Sequence, residues 1–275
     1  MQQIVVHEPG KMRSLTGLCA GYELGVWRAD TLADHLIESL PDFCLTYSEY
    51  NELDHKSAVR LLRQAARLVY KTDKFKNRGE FGELLLHVIL KSYMQTLPAV
   101  SKIYYKDAVN DTVKGFDAVH VVPTDAGLEL WLGEVKFYGD ISDAIRDVAA
   151  ELEKHLEVDY LRSEFLAITN KLDDTWPHVE KLKLLLDEKT SRHQVFKAFC
   201  IPVLLTYDGS VTGKATSSDD PYLPDLEVEL RAIAARFSAK TAGVNHRIHL
   251  FLIPLKTKQR LVKRLDQKLK AWQNL

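Results

Sequence analysis

Glu134-Val135-Lys136 closes an apolar run that begins at Leu128 and passes through Leu130, Trp131 and Leu132. A run of this length and composition reads as a strand, and residues two apart in a strand share a face. Glu134 and Lys136 therefore project together from its C-terminal end. A carboxylate is a hard oxygen ligand for Mg²⁺, and a neighbouring ammonium can orient a water or offset charge growing on a phosphate. By itself the triplet also fits an ion pair at a solvated strand end, the commoner case.

Two upstream segments change that balance. Residues 113–122 form a second strand candidate, and Pro123, Thr124, Asp125 and Gly127 supply the turn of a short hairpin. Asp117 stands in this otherwise apolar strand, where an uncompensated charge is costly, and a metal shared with Glu134 would compensate it. Further upstream, Arg78-Gly79-Glu80-Phe81-Gly82-Glu83 opens a helix whose stripe is Phe81, Leu84, Leu85 and Val88. Glu80, Glu83 and His87 recur at three and four spacing on a neighbouring face. The helix dipole already accounts for Glu80 in the first turn, so Glu83 is the better ligand candidate, with Glu80 kept as a possible one. His87 reads as a packed, hydrogen-bonded histidine.

The order G-E-x-G-E, then Asp117, then E-x-K resembles the PD-(D/E)xK nuclease superfamily. That resemblance implies a restriction-endonuclease-like core of helix, three-strand meander, helix and strand. It also implies a metal held by Asp117, Glu134 and the Val135 carbonyl, with Glu83 binding directly or through water and Lys136 positioning the attacking water. Phe116 stands where the superfamily motif has proline. More narrowly, residues 78–83, 114–117 and 132–138 resemble the nuclease subunit HamA of the Hachiman antiphage system and AbpA-type proteins. The narrower resemblance implies a bacterial, cytoplasmic effector that degrades DNA with Mg²⁺ or Mn²⁺ and is paired with a HamB-like helicase subunit.

Composition sets limits on these expectations. The chain has 275 residues, 46% hydrophobic and 27% charged, the profile of a soluble globular protein. A formal net charge of -1 supplies no overall basic field, so any DNA contact must come from local patches or from a partner. Cys19, Cys44 and Cys200 are far apart and form no C-x-x-C pair, which predicts reduced core thiols. No leader segment and no membrane-spanning run is expected.

The scaffold around these residues can be read in chain order. Residues 1–56 read as an accessory segment: short strands at 4–6 and 24–27, a helix from Leu32 stopped near Pro41 with Asp30 or Thr31 as cap, and a strand at 43–47. Residues 57–275 read as the nuclease-like domain. Its helix 57–70 has Val59, Leu62, Ala66 and Val69 as the packing stripe. The meander begins at 101–109, and both strands that carry the site are apolar on two faces, so helices are expected on each side of the sheet, an α/β architecture. The helix 141–156 packs through Ile145, Val148, Leu152 and Leu156, and its Asp143, Asp147 and Glu151 read as a solvated face. The late strand 198–207 contains Pro202, which predicts an edge or a bulge. A basic C-terminal helix offers Arg260, Lys263, Arg264 and Lys268 as candidate phosphate contacts. A non-cutting scaffold that binds DNA or regulates a helicase is the alternative reading. A phospholipase D-type site is excluded because no H-x-K triplet occurs.

Overall fold

The computed structural model describes residues 1–5, 12–69, 79–100, 115–125, 127–187, 189–191, 194–195, 198–219 and 221–275. Seven strands form its centre: β1 (Gln2–Val5), β2 (Arg13–Cys19), β5 (Leu97–Val100), β6 (Ala118–Thr124), β7 (Gly127–Phe137), β8 (Phe199–Asp208) and β9 (Arg247–Leu255). They make one mixed sheet in the order β1-β2-β9-β8-β7-β6-β5. A separate two-strand ribbon pairs β3 (Tyr22–Glu23) with β4 (Val26–Trp27). β5, β6 and β7 form an antiparallel meander, while the β7–β8, β8–β9 and β9–β2 pairs are parallel.

Helices cover both faces, as strands apolar on two sides require. One layer holds α1 (Ala29–Glu38), α2 (Leu40–Cys44), α4 (Ala58–Leu68), α5 (Glu80–Met94) and α11 (Lys258–Asn274), packed on the odd-numbered residues Trp131, Val135 and Phe137 of β7. The other holds α6 (Ile141–His155), α7 (Val158–Lys171), α8 (Val179–Leu186) and α10 (Tyr222–Lys240), packed on Leu128, Leu130 and Leu132. Two short helices, α3 (Tyr47–Tyr50) and α9 (Ser210–Lys214), complete the description. The order α5, β5, β6, β7, α6, β8 is the helix, meander, helix, strand order of a restriction-endonuclease-like core, with α7 and α8 inserted before β8.

α5 approaches β7 closely because two glycines leave room. A Cβ on Gly82 would lie 2.7 Å from a Val135 methyl and 2.8 Å from Phe137 Cβ, and one on Gly133 would lie 2.6 Å from a Leu86 methyl. The glycines of the G-E-x-G-E and strand segments thus bring helix and sheet together.

Several local expectations change in three dimensions. The helix from Leu32 does end near Pro41, at Glu38, but residues 43–47 are not a strand: Pro41 lies in the first turn of α2, and Thr46 with Glu49 forms a capping box that starts α3. α1 begins at Ala29 with Arg28 at its N-cap and no side-chain cap, and Asp30 instead pairs with Arg264 at 3.2 Å. α4 buries Leu61, Ala65 and Ala66 while Val59 is 56% exposed, because the small alanines let α2 and α11 pack closely there. Pro202 sits in β8 between β7 and β9, not at an edge. The β7–β8 pairing skips from Trp131↔Cys200 to Glu134↔Val203, so the missing proline N–H falls in that gap. Arg13–Cys19, between the strands expected at 4–6 and 24–27, is itself a strand beside β9. The expected strand at 101–109 and residue Arg78 lie outside the described residues. All three cysteines are free and buried. Among the described residues no helix is long and apolar enough to cross a membrane.

Candidate active site

β6 and β7 pair from Thr124↔Gly127 up to Ala118↔Gly133. The Asp117 N–H donates to the Gly133 carbonyl at 2.7 Å, one step off the Ala118↔Gly133 register, so the residue just before β6 is drawn in against the Gly133–Val135 end of β7. Asp117 Oδ2 accepts a hydrogen bond from Val135 N at 2.9 Å, which offsets part of the cost of a carboxylate at this half-buried position. Gly115 makes the entry turn at φ 138°, and a Cβ there would lie 2.6 Å from Glu164 Oε1. Glu134 is 1% exposed and Lys136 8%. Strand alternation puts Glu134 and Lys136 on the face covered by α6, and the Asp117 charge acts there on Lys136 and His155. Glu83 and Glu80 start α5 in the opposite layer, with Glu83 half-buried.

α6 brings two further groups to this cluster. Lys136 Nζ donates to Glu151 Oε2, and His155 Nδ1 is bonded to Glu134 Oε1. Tyr138 donates its hydroxyl to Asp147 Oδ2 at 3.1 Å. Asp143 does lie at the surface, paired with Arg146 at 2.5 Å, but Asp147 and Glu151 turn to the sheet, so the expected solvated face is only partly solvated. Sequence reasoning missed Glu151 and His155 as site residues. The available signal was the i, i+4 series Asp147, Glu151, His155 beside the period-two series Tyr138, Lys136, Glu134.

The electrostatics follow from burial and partners. Burial alone would lower the Lys136 pKa, but the Glu151 hydrogen bond and the charges of Glu151, Glu134 and Asp117 hold it above its ordinary value. Lys136 therefore stays cationic at neutral pH. Burial lowers His155, opposed by Glu151, Asp117 and Glu164, and keeps the imidazole neutral.

Asp117 and Glu134 offer the oxygen donors that suit Mg²⁺, an ion that uses one or two carboxylates and keeps several waters. Among the described residues no three His, Cys, Asp or Glu side chains form a ready ligand group. The fit is thus to a hard ion completed by backbone oxygen and water, not to a closed structural site.

His87 is packed and hydrogen-bonded, as expected, and belongs to a second cluster on the α5 face. Thr96 Oγ1 bonds to His120 Nδ1 at 2.7 Å, His120 Nε2 to His87 Nδ1 at 3.2 Å, and His87 Nε2 to Asp42 Oδ2 at 2.8 Å. Lys91 also donates to Asp42. On α11, Arg264 pairs with Asp30 and Lys268 with Asp34, at 3.2 and 2.6 Å, so both are drawn toward α1, while Lys263 is exposed and Arg260 half-buried.

A meander with two acids and a lysine gathered at one end, flanked by helices in this order, defines an α/β protein with a restriction-endonuclease-like core. The family model described as HamA matches residues 2–269, and the chain belongs to that family. It is also similar to Anti-bacteriophage protein A of Escherichia coli (strain K12), with 23% identity over 260 residues, 90% of this chain and 46% of the relative. The chain therefore spans about half the length of the curated relative it matches.

Proposed function

We propose that this protein is a metal-dependent DNA nuclease that serves antiphage defence as an effector paired with a helicase subunit. The observation that carries the reading is the convergence of Asp117 on the Glu134–Lys136 strand end: its carboxylate accepts from Val135 N at 2.9 Å, and both acids act on the Lys136 ammonium. Asp117, Glu134 and the Val135 carbonyl would hold Mg²⁺ or Mn²⁺, and Glu83, at the start of α5, is the remaining candidate carboxylate. The ion would supply Lewis-acid polarisation of the scissile phosphate and a more acidic bound water. Lys136, held cationic, orients the attacking water and offsets the negative charge that grows on the phosphate. The defence role rests on the HamA family and on the name of the curated relative.

Purified protein would be assayed on linear, plasmid and single-stranded DNA with Mg²⁺, Mn²⁺ or EDTA, with and without the helicase. We expect cleavage that EDTA abolishes. Lys136→Ala should keep metal binding and lose about a hundredfold or more in rate, and Glu134→Ala should lose both. Full-rate cutting by both variants would refute the site. A non-cutting scaffold that regulates the helicase is the second reading, favoured by the pairing of Arg264 and Lys268 with α1 acids, which reduces the basic surface open to DNA. A stable complex with the helicase that cleaves no substrate would establish that reading instead.

A further inference from the structure

The proposed chemistry leaves α6 without a role, yet α6 makes close polar contacts to the Glu134-Lys136 pair. The connection from β7 is only three residues, and Asp140 caps the helix by accepting from the Ser142 and Asp143 N–H groups. The chain therefore turns straight back, and α6 runs antiparallel along β7. Four helical residues rise about 6 Å and two strand residues about 6.6 Å, so the two series stay in step over several rungs. Asp147 meets Tyr138, Glu151 meets Lys136, and His155 meets Glu134. Buried Ala144, Ile145, Val148, Ala149 and Leu152 set the rotation of the helix independently of these polar contacts.

The third rung is held from three sides. The His155 ring stacks on Tyr160 at 4.3 Å between centroids and 13° between planes. It meets Phe116 in a T-shaped contact at 5.3 Å. Phe116 immediately precedes Asp117, at the position where the superfamily motif has proline. One imidazole thus touches the neighbour of one carboxylate and bonds directly to the other.

We propose that His155 and Glu151 are positioning residues of this site: His155 orients the Glu134 carboxylate and Glu151 orients the Lys136 ammonium. The proposal rests on the nuclease reading. A carboxylate with one oxygen held by an imidazole presents its other oxygen in a set direction, which is how groups behind the ligands tune metal sites. A lysine on a flexible four-carbon stem needs a fixed acceptor to point one way. The Asp147–Tyr138 rung has the same construction but touches neither group, so it is an internal control.

The test titrates Mn²⁺ into metal-free full-length protein by calorimetry, without DNA, and separately measures kcat and KM for cleavage. Thermal unfolding reports the fold of each variant. His155→Ala should weaken Mn²⁺ binding about 10- to 100-fold. His155→Asn, whose amide N–H takes the place of Nδ1, should restore most of it. Glu151→Ala should leave Mn²⁺ affinity within about twofold, lower kcat at least tenfold, and leave KM unchanged. Glu151→Gln should recover part of that rate, and Asp147→Ala should change neither property. If His155→Ala does not fold, His155→Gln carries the test, because its longer amide misplaces the donor in an otherwise similar site. Identical Mn²⁺ affinity in wild type and the misplaced-donor variant overturns the proposal. So do losses in all three alanine variants that merely follow their melting temperatures. A wild-type protein that neither binds Mn²⁺ nor cuts DNA overturns the nuclease reading itself, and this proposal with it.

Discussion

Two polar clusters lie on opposite faces of the β6–β7 pair, and each combines acid, histidine and lysine. On the α5 face, Asp42, His87, Lys91, Thr96 and His120 contain one carboxylate and one ammonium. A single direction of donation satisfies the chain, from the Thr96 hydroxyl through His120 and His87 to Asp42. On the α6 face, Asp117, Glu134 and Glu151 surround Lys136, with a neutral His155. Three carboxylates thus act on the one Lys136 ammonium, with Lys154 and Glu164 near His155 at the rim. Carboxylates brought this close repel unless a cation joins them. Similar residue types therefore give a self-neutralised brace on one face and a cluster suited to a cation on the other.

The largest effect expected from this contrast is on catalysis. Asp117→Asn should fold and lose about a hundredfold or more in metal-dependent cleavage, while Asp42→Asn should cut DNA within about threefold of wild type. Asp42→Asn should instead lose about 2 kcal/mol in urea unfolding, since it leaves Lys91 and His87 without their carboxylate acceptor. Equal loss of cleavage in both variants would erase the distinction between brace and site.

The next effect is on pH dependence. Burial alone would raise the Asp42 carboxyl, but hydrogen bonds and charge from His87 and Lys91 hold it down to about 2, against an ordinary 3.8. A depressed carboxyl contributes stability that is complete above its unfolded pKa and lost as pH falls through the folded value. Its share, about 2 kcal/mol, should disappear between about pH 4 and pH 2. His120 is held well below 6.5, first by burial and then by the charge of His87. It stays neutral while the unfolded chain takes up a proton, so its share falls as pH drops below 6.5. Unfolding measured across this range should lose its upper slope in His120→Gln and its lower slope in Asp42→Asn. Slopes unchanged by either substitution would show that other groups govern acid stability.

The smallest effect concerns the charge of the α6-face cluster. In metal-free protein Glu134→Gln removes one negative charge and keeps an acceptor for His155, so stability should stay level or rise by up to about 1 kcal/mol. The wild type should gain melting temperature on adding Mn²⁺, and the variant should gain less. A metal-free Glu134→Gln protein markedly less stable than wild type would mean that the cluster is a brace like its counterpart.

Much of the site was legible along the chain, because strand alternation is a local property. Glu134 and Lys136 had to share a face, and an acid within the apolar run at Asp117 had to find compensation. The helices on both faces followed from strands apolar on two sides. Less was legible where packing chooses between similar patterns. The run Ala58–Leu68 contains two overlapping apolar stripes, and only contact with α2 and α11 selected Leu61, Ala65 and Ala66. Phe43, Cys44 and Leu45 have the composition of a strand, yet Pro41 and the Thr46–Glu49 box commit the segment to helices.

Local spacing alone specifies the two carboxylates, the lysine beside them and the turn that makes their strands neighbours, since each depends on positions a few residues apart. The i, i+4 series on α6 was equally visible. That Asp147, Glu151 and His155 face Tyr138, Lys136 and Glu134 rather than water emerges only when α6 docks on the sheet. The rotation of a helix over a sheet is set by the burial of its apolar side against many strands at once, which no local spacing encodes.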